Sequence, residues 1–491
     1  MKDHRSMSNP SHFNASPKRF LAPTVISINA TASVIGVLIG SLIGSSLVAA
    51  VEPSPHRDAR RPNFIVFIAD DLSWDDCGAY GHPSIRTPHI DRLASEGMTF
   101  DYAVLTISSC SPSRSSIMTS RYPHATGAGE LHQPLPANQV MMTKPLSESG
   151  YWTAAVGKWH LGEAVVDQVD YRRQIGPEKM GEAWVEMLRK RPKDKPFFLW
   201  AAALDPHRPY PPGAIEKPHS AEDAVVPPFL PDHQAVRDDL ADYYDEIGRF
   251  DRHIGITLDE LVAQGVADNT VIFVLSDNGR PFPHCKTRID YPGVGMPLII
   301  RFASQIQAGS RCNSLVSSID LAPTILDLAG VQRPESFQGV SLKPLFANPT
   351  TSVRDFAFAE HNWHDYRAFE RSVFDDRYGY VRNWLPHLPR TPPADAVRSP
   401  TFAVMKELHH QGLLDPLQKG CMEPSGTAEF LYAVRTDPNC LHNLASDPSH
   451  REDLERLRNA LKQWQDNTDD QFRGEESLRP DAFDRLTGER K

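Results

Sequence analysis

The chain has 491 residues, of which 40% are hydrophobic and 23% charged, and it contains no long low-complexity tract. This composition is typical of a globular protein, and the length allows one large core with a second, smaller unit. The net charge is −10, and about −13 without residues 1–50, which carry four basic residues and one acid. This bulk charge disfavours polyanionic partners. We therefore expect no nucleic-acid partner, and an anionic substrate requires a local cationic pocket.

The N-terminal region has the pattern of a targeting segment. Two basic residues, Lys18 and Arg19, precede an apolar stretch at 34–51 that contains small residues suited to signal peptidase. We predict a signal peptide at 1–50 and a linker at 51–61. The alternative is an uncleaved membrane anchor, because the stretch is close to the shortest length that spans a bilayer. In both cases we expect the folded part to be exported to a periplasm, a lysosome-like compartment or the outside of the cell.

Strands and helices alternate along the chain up to residue 349. Apolar runs that suit strands buried on both faces lie at 64–69, 151–156, 197–203, 271–275 and 297–302. Helical patterns lie at 88–97, 237–264 and 321–328. This alternation predicts an α/β fold for residues 62–349, with helices on both faces of the sheet.

The pattern changes after residue 349. Shorter strands are predicted at 356–359, 378–382 and 429–434, followed by one late helix at 452–465. We therefore predict a smaller α+β unit at 350–474. The polar segment at 475–491 is predicted to be a loosely attached tail.

Oxygen-bearing side chains follow two of the predicted strands. Asp70 and Asp71 end the first strand, and Asp277 and Asn278 end the fourth. Active groups gather beyond the carboxyl ends of strands in such sheets, and hard cations such as Ca²⁺ prefer oxygen ligands. The set lacks the thiolate or imidazole expected for zinc. We predict a Ca²⁺ site here, with simple strand-end turns as the alternative.

Cationic residues occupy the loops after the same kind of strand. Lys158 and His160 follow the second predicted strand, His207 follows the third, and Lys286 lies shortly after Asn278. A tetrahedral anionic substrate needs positive charge at its oxygens and a proton donor at the leaving atom. These residues supply both. The alternative for each histidine is a structural hydrogen-bonding role.

One short motif points to a particular family. In Cys110-Ser111-Pro112-Ser113-Arg114 the cysteine lies two residues before proline and four before arginine. This spacing resembles the maturation signal of type I sulfatases, although alone it also fits a structural or disulfide cysteine in a serine-rich loop. The acidic pairs and the cationic residues occur in the family's order, and the resemblance runs from about residue 63 to about residue 465.

The resemblance implies a fold and two cofactors. The fold is an alkaline-phosphatase-like α/β sheet with a smaller C-terminal α+β subdomain. A formylglycine-generating maturation enzyme would oxidise Cys110 to formylglycine. The hydrated aldehyde would be the nucleophile, since its second hydroxyl can expel the bound sulfate. Ca²⁺ would be held by Asp70, Asp71, Asp277 and Asn278, with the modified cysteine completing the shell.

The resemblance also implies roles for the cationic residues. Arg114 and Lys158 would hold the formylglycine hydrate, and His160 would take its proton during sulfate expulsion. His207 and Lys286 would face the bond being broken, with His207 as proton donor to the leaving group.

The chain departs from the family just after the motif. The run ends Met118-Thr119-Ser120, where the family usually has Thr-Gly. Because this position lies beyond the Cys-x-Pro-x-Arg core, we expect slower or unchanged maturation.

A narrower resemblance is to the sulfamidases, or heparan N-sulfatases. It is carried by the sequences at 108–114, 131–133, 205–208, 276–283 and 399–402. It implies hydrolysis of the N–S bond of N-sulfoglucosamine in a sulfated glycan. By the same resemblance, the residues that would read the substrate are Asp205, Arg208, His364 and Asp365.

Three alternatives stay open at this point. An O-sulfatase acting on another glycan would share the core motifs. A phosphate or phosphonate hydrolase is disfavoured, because the carboxylates lack neighbouring histidine ligands. A catalytically silent glycan-binding protein would have lost its nucleophile or metal ligands, and neither is lost. The oligomeric state is not determined, and a homo-oligomer remains an alternative.

Overall fold

Three β-sheets organise residues 61–491, the part of the chain that the computed structural model describes. The predicted signal peptide at 1–50, the alternative anchor at 34–51 and the linker up to residue 60 lie outside the described residues. Within residues 61–491, no helix has both the length and the apolar character needed to cross a membrane.

The described strands follow the predicted ones closely in the first part of the chain. In chain order they are β1 (Asn63–Ala69), β2 (Met98–Phe100), β3 (Ala103–Val104), β4 (Trp152–Gly157), β5 (Tyr171–Arg173), β6 (Phe197–Ala202), β7 (Thr270–Ser276), β8 (Leu298–Arg301), β9 (Ser310–Cys312), β10 (Val316–Ser317), β11 (Ala357–His361), β12 (Glu370–Phe374), β13 (Gly379–Asn383) and β14 (Glu429–Tyr432).

The described α-helices include the three predicted before residue 349 and the late helix. In chain order they are α1 (Pro88–Glu96), α2 (Cys110–Thr119), α3 (Pro123–Thr126), α4 (Thr143–Glu148), α5 (Met180–Lys190), α6 (Gln234–Ala263), α7 (Tyr291–Val294), α8 (Leu321–Leu328), α9 (Lys343–Ala347), α10 (Ala394–Val397), α11 (Pro400–His410), α12 (Pro416–Lys419) and α13 (Arg451–Thr468).

The large sheet has eight strands in the order β5-β4-β6-β1-β7-β8-β2-β9. The five strands from β5 to β7 are parallel, whereas β8 runs antiparallel to both of its neighbours. Along β1, Phe64 and Val66 enter one hydrophobic core, while Ile65 and Phe67 enter the other. Successive side chains of a strand point to opposite faces of the sheet, and both faces are buried here. This is why β1 needs an uninterrupted apolar run.

Helices cover both faces of this sheet, as predicted. Residues of α1, α5 and α6 pack in the core on one side, and residues of α2, α4 and α8 pack in the core on the other. The two layers bury the centre of the sheet. The polar loops at the carboxyl ends of the parallel strands then become the place where charged side chains meet.

The C-terminal part contains a four-stranded antiparallel sheet in the order β11-β12-β13-β14. Helix α13 packs on it through Leu454, Leu457 and Trp464, which share a core with Val373 and Tyr380. This arrangement confirms the predicted smaller α+β unit. A bridge between Ile107 and Glu360 brings β11 beside the loop that precedes α2.

The polar segment 475–491 is more firmly attached than its composition predicts. The indole Nε1 of Trp363 donates to the carbonyl of Pro480 at 2.8 Å, and the amide of Ala482 donates to the carbonyl of Asp365 at 2.8 Å. The prediction of a loosely attached tail is therefore wrong. A polar sequence docks firmly here because backbone hydrogen bonds, which composition does not reveal, tie it down.

The departure at Ser120 has a conformational basis. Ser120 follows α2 with φ of 52°, in the left-handed region where glycine carries no steric cost. Its hydroxyl donates to the carbonyl of Ile319 at 2.7 Å and accepts from the amide of Gly339 at 3.0 Å. These two hydrogen bonds offset the strain that a side chain brings to this position.

Candidate active site

Two neighbouring parallel strands bring the acidic pairs together. The register places Ala69 of β1 opposite Ser276 of β7, so the residues that follow them emerge side by side. Asp70, Asp71, Asp277 and Asn278 are all fully buried at this edge of the sheet. Neither pair is a simple solvent-exposed turn, because exposed turns do not bury four polar side chains against one another.

The four side chains form one connected group. The amide Nδ2 of Asn278 lies 2.9 Å from Asp71 Oδ1 and 2.6 Å from Asp277 Oδ1. The backbone amide of Asp71 donates to Asp277 Oδ1 at 3.2 Å. Ligand atoms of Asp70, Asp71 and Cys110 also lie within 4.8 Å of one another. Asp70, Asp71 and Cys110 thus have ligand atoms grouped together, and Asp277 and Asn278 join this group through hydrogen bonds.

The residues present fit a hard divalent cation. The carboxamide oxygen Oδ1 of Asn278 is buried and has no hydrogen-bond partner among the described residues. Burial raises the pKa of Asp277 to about 7, although Arg114 lowers it, and burial also raises the pKa of Asp71. An oxygen-rich group of carboxylates with an unpartnered carbonyl is the donor chemistry that Ca²⁺ prefers.

Cys110 is the first residue of α2 and faces the acidic group. Its Sγ lies 3.5 Å from Asp70 Oδ1 and 3.3 Å from Asn278 Nδ2. Burial raises the pKa of the Cys110 thiol to about 12, although Lys158 and Lys286 lower it. An unmodified thiol here is protonated at neutral pH and is a poor nucleophile. The position at a helix N-terminus, which the sequence did not reveal, favours a bound anion.

Three cations surround this centre. Arg114 is fully buried and contacts Asp277 Oδ2 through Nε at 2.7 Å. Lys158 pairs through Nζ with Asp70 Oδ2. Lys286, which is 1% exposed, contacts Asp71 Oδ2 at 2.7 Å. Each predicted metal ligand with a carboxylate thus has a cationic neighbour, and the structure brings all of these residues to one site.

His160 belongs to the same site through a second histidine. Its Nε2 lies 2.7 Å from Nδ1 of His132, whose backbone amide donates to Ser111 Oγ at 2.8 Å. Burial, with Lys158 and Arg114, lowers the pKa of His160 to about 2, so this imidazole is neutral in the structure. The sequence analysis used residues 131–133 only as part of the resemblance to sulfamidases, and it predicted no role for His132.

His207 lies on the open side of the site beside a carboxylate that the sequence analysis missed. Its Nε2 is 3.6 Å from Oδ2 of Asp395, and the same oxygen is 3.9 Å from Lys286 Nζ. An open cavity of about 510 Å³ is lined by His207 together with Asp70 and Lys158. This cavity is the space that the structure offers to a substrate.

The loop after β11 contributes one predicted substrate-binding residue next to the nucleophile. His364 Nδ1 lies 2.7 Å from the hydroxyl of Ser109, the residue before Cys110. Asp365, with a φ of 64°, accepts the backbone amide of Ala394 through Oδ2 at 2.9 Å. The structure therefore places His364 against the nucleophile loop and leaves Asp365 as a tether for the segment that follows.

Asp205 and Arg208, also predicted to bind the substrate, both form ion pairs with other residues. Arg249 of α6 forms a bidentate pair with Asp205 at 2.7 and 2.9 Å. Arg208 forms a bidentate pair with Asp239 at 2.7 and 2.8 Å. Because buried charges require such partners, these ion pairs give both residues a structural role. Both also line the cavity beside His207, so their contact with a substrate stays a prediction.

Arg249→Ala is expected to destabilise the fold by about 3–5 kcal/mol, the typical cost of removing one partner from a buried ion pair. The change would leave Asp205 and Glu246 buried without their shared cation. Thermal unfolding would measure the loss, with Arg252→Ala as the control, since Arg252 is an exposed arginine of the same helix. Equal unfolding temperatures for the two variants would contradict the structural role.

Comparison with known families places the chain. Residues 62–331, more than half of its length, match the family model described as Sulfatase. This chain belongs to the type I sulfatase family. A second model, described as N-sulphoglucosamine sulphohydrolase, C-terminal, matches residues 286–384 of this sulfatase. Membership makes the protein a hydrolase of the sulfatase class and confirms the family resemblance found in its sequence.

Two relatives and one solved structure show how far the likeness extends. The sulfatase is 31% identical to N-sulphoglucosamine sulphohydrolase of Homo sapiens over 469 residues, which cover 84% of this chain and 91% of the human protein. It is 28% identical to an ulvan-active sulfatase of Formosa agariphila, covering 82% of this chain and 74% of that protein.

The solved structure is of a protein in complex with its substrate, D-glucosamine-2-N,6-O-disulfate. It matches this sulfatase with a TM-score of 0.65 and 20% identity, covering 85% of this chain and 100% of that one. At this identity the likeness concerns the fold. Together with the sheet described above, it confirms the predicted alkaline-phosphatase-like architecture.

Proposed function

We propose that this sulfatase hydrolyses the N-sulfate of N-sulfoglucosamine in a sulfated glycan of the heparan type. The observation that carries the proposal is the match of residues 286–384 to the C-terminal model of N-sulphoglucosamine sulphohydrolase. This segment includes Lys286, which pairs with Asp71, and His364, which contacts the residue before Cys110. The N-terminal signal pattern supports an exported enzyme.

The nucleophile in this proposal derives from Cys110. A maturation enzyme would convert its side chain to formylglycine, and the hydrated aldehyde would supply a nucleophilic oxygen together with a second hydroxyl for the release of sulfate. Arg114 and Lys158 lie beside this position and would orient the hydroxyl groups through charge-assisted hydrogen bonds. The neutral imidazole of His160 would accept a proton in the same region.

The metal in this proposal is Ca²⁺, which would lower the pKa of the nucleophile and draw a sulfate oxygen into place. Asp70, Asp71 and Asp277 would hold it through carboxylate oxygens, and Asn278 through its unpartnered carbonyl oxygen. Lys158 and Lys286 would then be free to stabilise the sulfate oxygens as charge develops. The N-terminus of α2 adds partial positive charge on the same side.

The leaving amine requires a proton. His207 is 31% exposed and its Nε2 faces the open side of the site, while its Nδ1 is fixed against the backbone carbonyl of Arg208 at 2.5 Å. This contact fixes the ring so that Nε2 carries the transferable proton in the imidazolium form. Because amines are poor leaving groups unless protonated, His207 is central to N–S cleavage.

A second candidate is an O-sulfatase acting on another glycan. It is favoured by the 28% identity to an ulvan-active sulfatase, which approaches the identity to the human enzyme. The core of nucleophile, carboxylates and cations serves both reactions. The choice between them therefore depends on the groups that face the leaving atom.

Sulfate release from N-sulfoglucosamine and from glucosamine 6-O-sulfate tests the proposal directly. Matured protein with Ca²⁺ is expected to act on the N-sulfated sugar, and Cys110→Ala serves as the blank. Release from the O-sulfated sugar alone would contradict the N-sulfate assignment and support the second candidate. No release from either sugar, with Cys110 shown to be converted, would contradict glucosamine as the substrate.

A further inference from the structure

Asp395 lies at the leaving-group side of the site, although it belongs to the C-terminal part of the chain. It is the second residue of α10, and its Oδ2 faces His207 Nε2 at 3.6 Å and Lys286 Nζ at 3.9 Å. His207 is 31% exposed and Asp395 is 22% exposed, so both reach the open side. No other carboxylate among the described residues shares an ion pair with His207.

The backbone around Asp395 is held on both sides. Asp365 accepts the amide of Ala394, and Asp395 Oδ1 accepts the amide of Ala396 at 2.8 Å. Only Oδ2 is therefore directed at the site. A carboxylate oxygen that is fixed in this way can recognise one particular atom of a bound substrate.

Asp395 is charged in this setting. Burial disfavours its ionised form, but Lys286, His207 and Arg208 hold the pKa of its carboxyl well below the ordinary range. Lys286 already lies between Asp71 and Asp395, at 2.7 and 3.9 Å. The 3.9 Å contact to Lys286 Nζ is longer than a hydrogen bond, which leaves Asp395 Oδ2 able to accept a hydrogen bond from a substrate.

The two kinds of leaving atom differ in one hydrogen. The nitrogen of a sulfamate bears an N–H in the bound substrate and becomes an ammonium group after cleavage and protonation. The bridging oxygen of a sulfate ester bears only lone pairs. A carboxylate accepts a hydrogen bond from the first and repels the second.

We propose that Asp395 is a specificity-determining residue that selects N-sulfate over O-sulfate by accepting the N–H of the leaving nitrogen. The inference rests on the proposed function and deepens it. It assigns His207 the transfer of the proton and Asp395 the recognition of the leaving atom. Asp395 would also repel the bridging oxygen of a sulfate ester. This unfavourable contact is what discrimination against O-sulfated substrates requires.

The first test compares Asp395→Asn with Asp376→Asn, which changes an exposed aspartate, on both sugars. We expect Asp395→Asn to lower kcat/KM for N-sulfoglucosamine by roughly 10–100-fold, the range for a hydrogen bond to a charged group. The kcat/KM for the O-sulfated sugar should stay unchanged or rise. An equal loss on both sugars would overturn the proposal and leave Asp395 as a general support of His207.

A second test does not depend on turnover. Full-length Cys110→Ala protein is titrated with glucosamine, whose amine is protonated, and with N-acetylglucosamine, followed by ligand-observed NMR. We expect tighter binding of glucosamine, and loss of that preference when Asp395→Asn is added. An unchanged preference, or none in the parent protein, would overturn the proposal. If the enzyme fails to cleave N-sulfate in the first test, the proposed function fails separately from this result.

Discussion

Replacing Cys110 with alanine is expected to abolish sulfate release, by ~10⁴-fold or more, as removal of a catalytic nucleophile does in other hydrolases. The fold should survive, because the side chain ends at the site and contributes only a small buried surface. Its Sγ lies 3.3–3.5 Å from polar groups of Asp70 and Asn278, and the residue shares only a small apolar cluster with Leu131 and Trp363. Sulfate release under saturating substrate, with thermal unfolding alongside, measures both parts of this expectation.

The control for this experiment is Ser113→Ala. Ser113 lies in the same buried turn of α2, and its hydroxyl has no hydrogen-bond partner among the described residues. It occupies a variable position of the Cys-x-Pro-x-Arg pattern, so activity should be retained. Mass spectrometry of the peptide that carries Cys110 should show an aldehyde in a competent host. Normal sulfate release by Cys110→Ala, or activity with an unmodified thiol, would disprove the proposed nucleophile.

Removal of Ca²⁺ by chelation is expected to abolish activity and to lower the unfolding temperature, with both restored on readdition. A cation that binds only the folded state adds about 2.7 kcal/mol of stability at one hundred times its dissociation constant. The physical source is the buried group of Asp70, Asp71 and Asp277, since a bound cation would attract all three neighbouring carboxylates.

Asp70→Asn extends this experiment to a single ligand. It preserves the shape of the side chain but removes a charge, and activity should fall on the order of 10²–10³-fold, the typical loss of one charge-stabilising group. Asp242→Asn, an exposed position on α6, is the matched control. An unfolding temperature that does not respond to Ca²⁺ in the unaltered protein would contradict the metal site.

The long strands of the large sheet were predictable because a strand that is buried on both faces requires a continuous apolar run, which is visible in the sequence. An uninterrupted apolar run such as 64–69 suits few other structures, and the observed strand differs from it by one residue. The short strands β2, β5 and β9 at the two ends of the sheet were missed, β5 and β9 being its edges. Their three residues each carry too little pattern to separate from loops.

The charged residues after β6 show where sequence reasoning stops. Asp205 and Arg208 follow a buried strand, as catalytic groups do, and nothing in their local sequence distinguishes them from His207. Their partners Arg249 and Asp239 lie on α6. Helix periodicity places these two residues near the core but does not reveal which charge each one neutralises.

The sequence by itself determined the chemical inventory of this protein: the family, the candidate nucleophile Cys110 and the oxygen-bearing residues at two strand ends. It could do so because adjacent motif residues and strand-end loops are local features. Only the tertiary structure decided which groups meet from distant parts of the chain, as His132 meets His160 and Asp395 meets His207. Those pairs depend on how the C-terminal part and the loops fold over the sheet, since packing between elements that are remote in sequence leaves no local pattern.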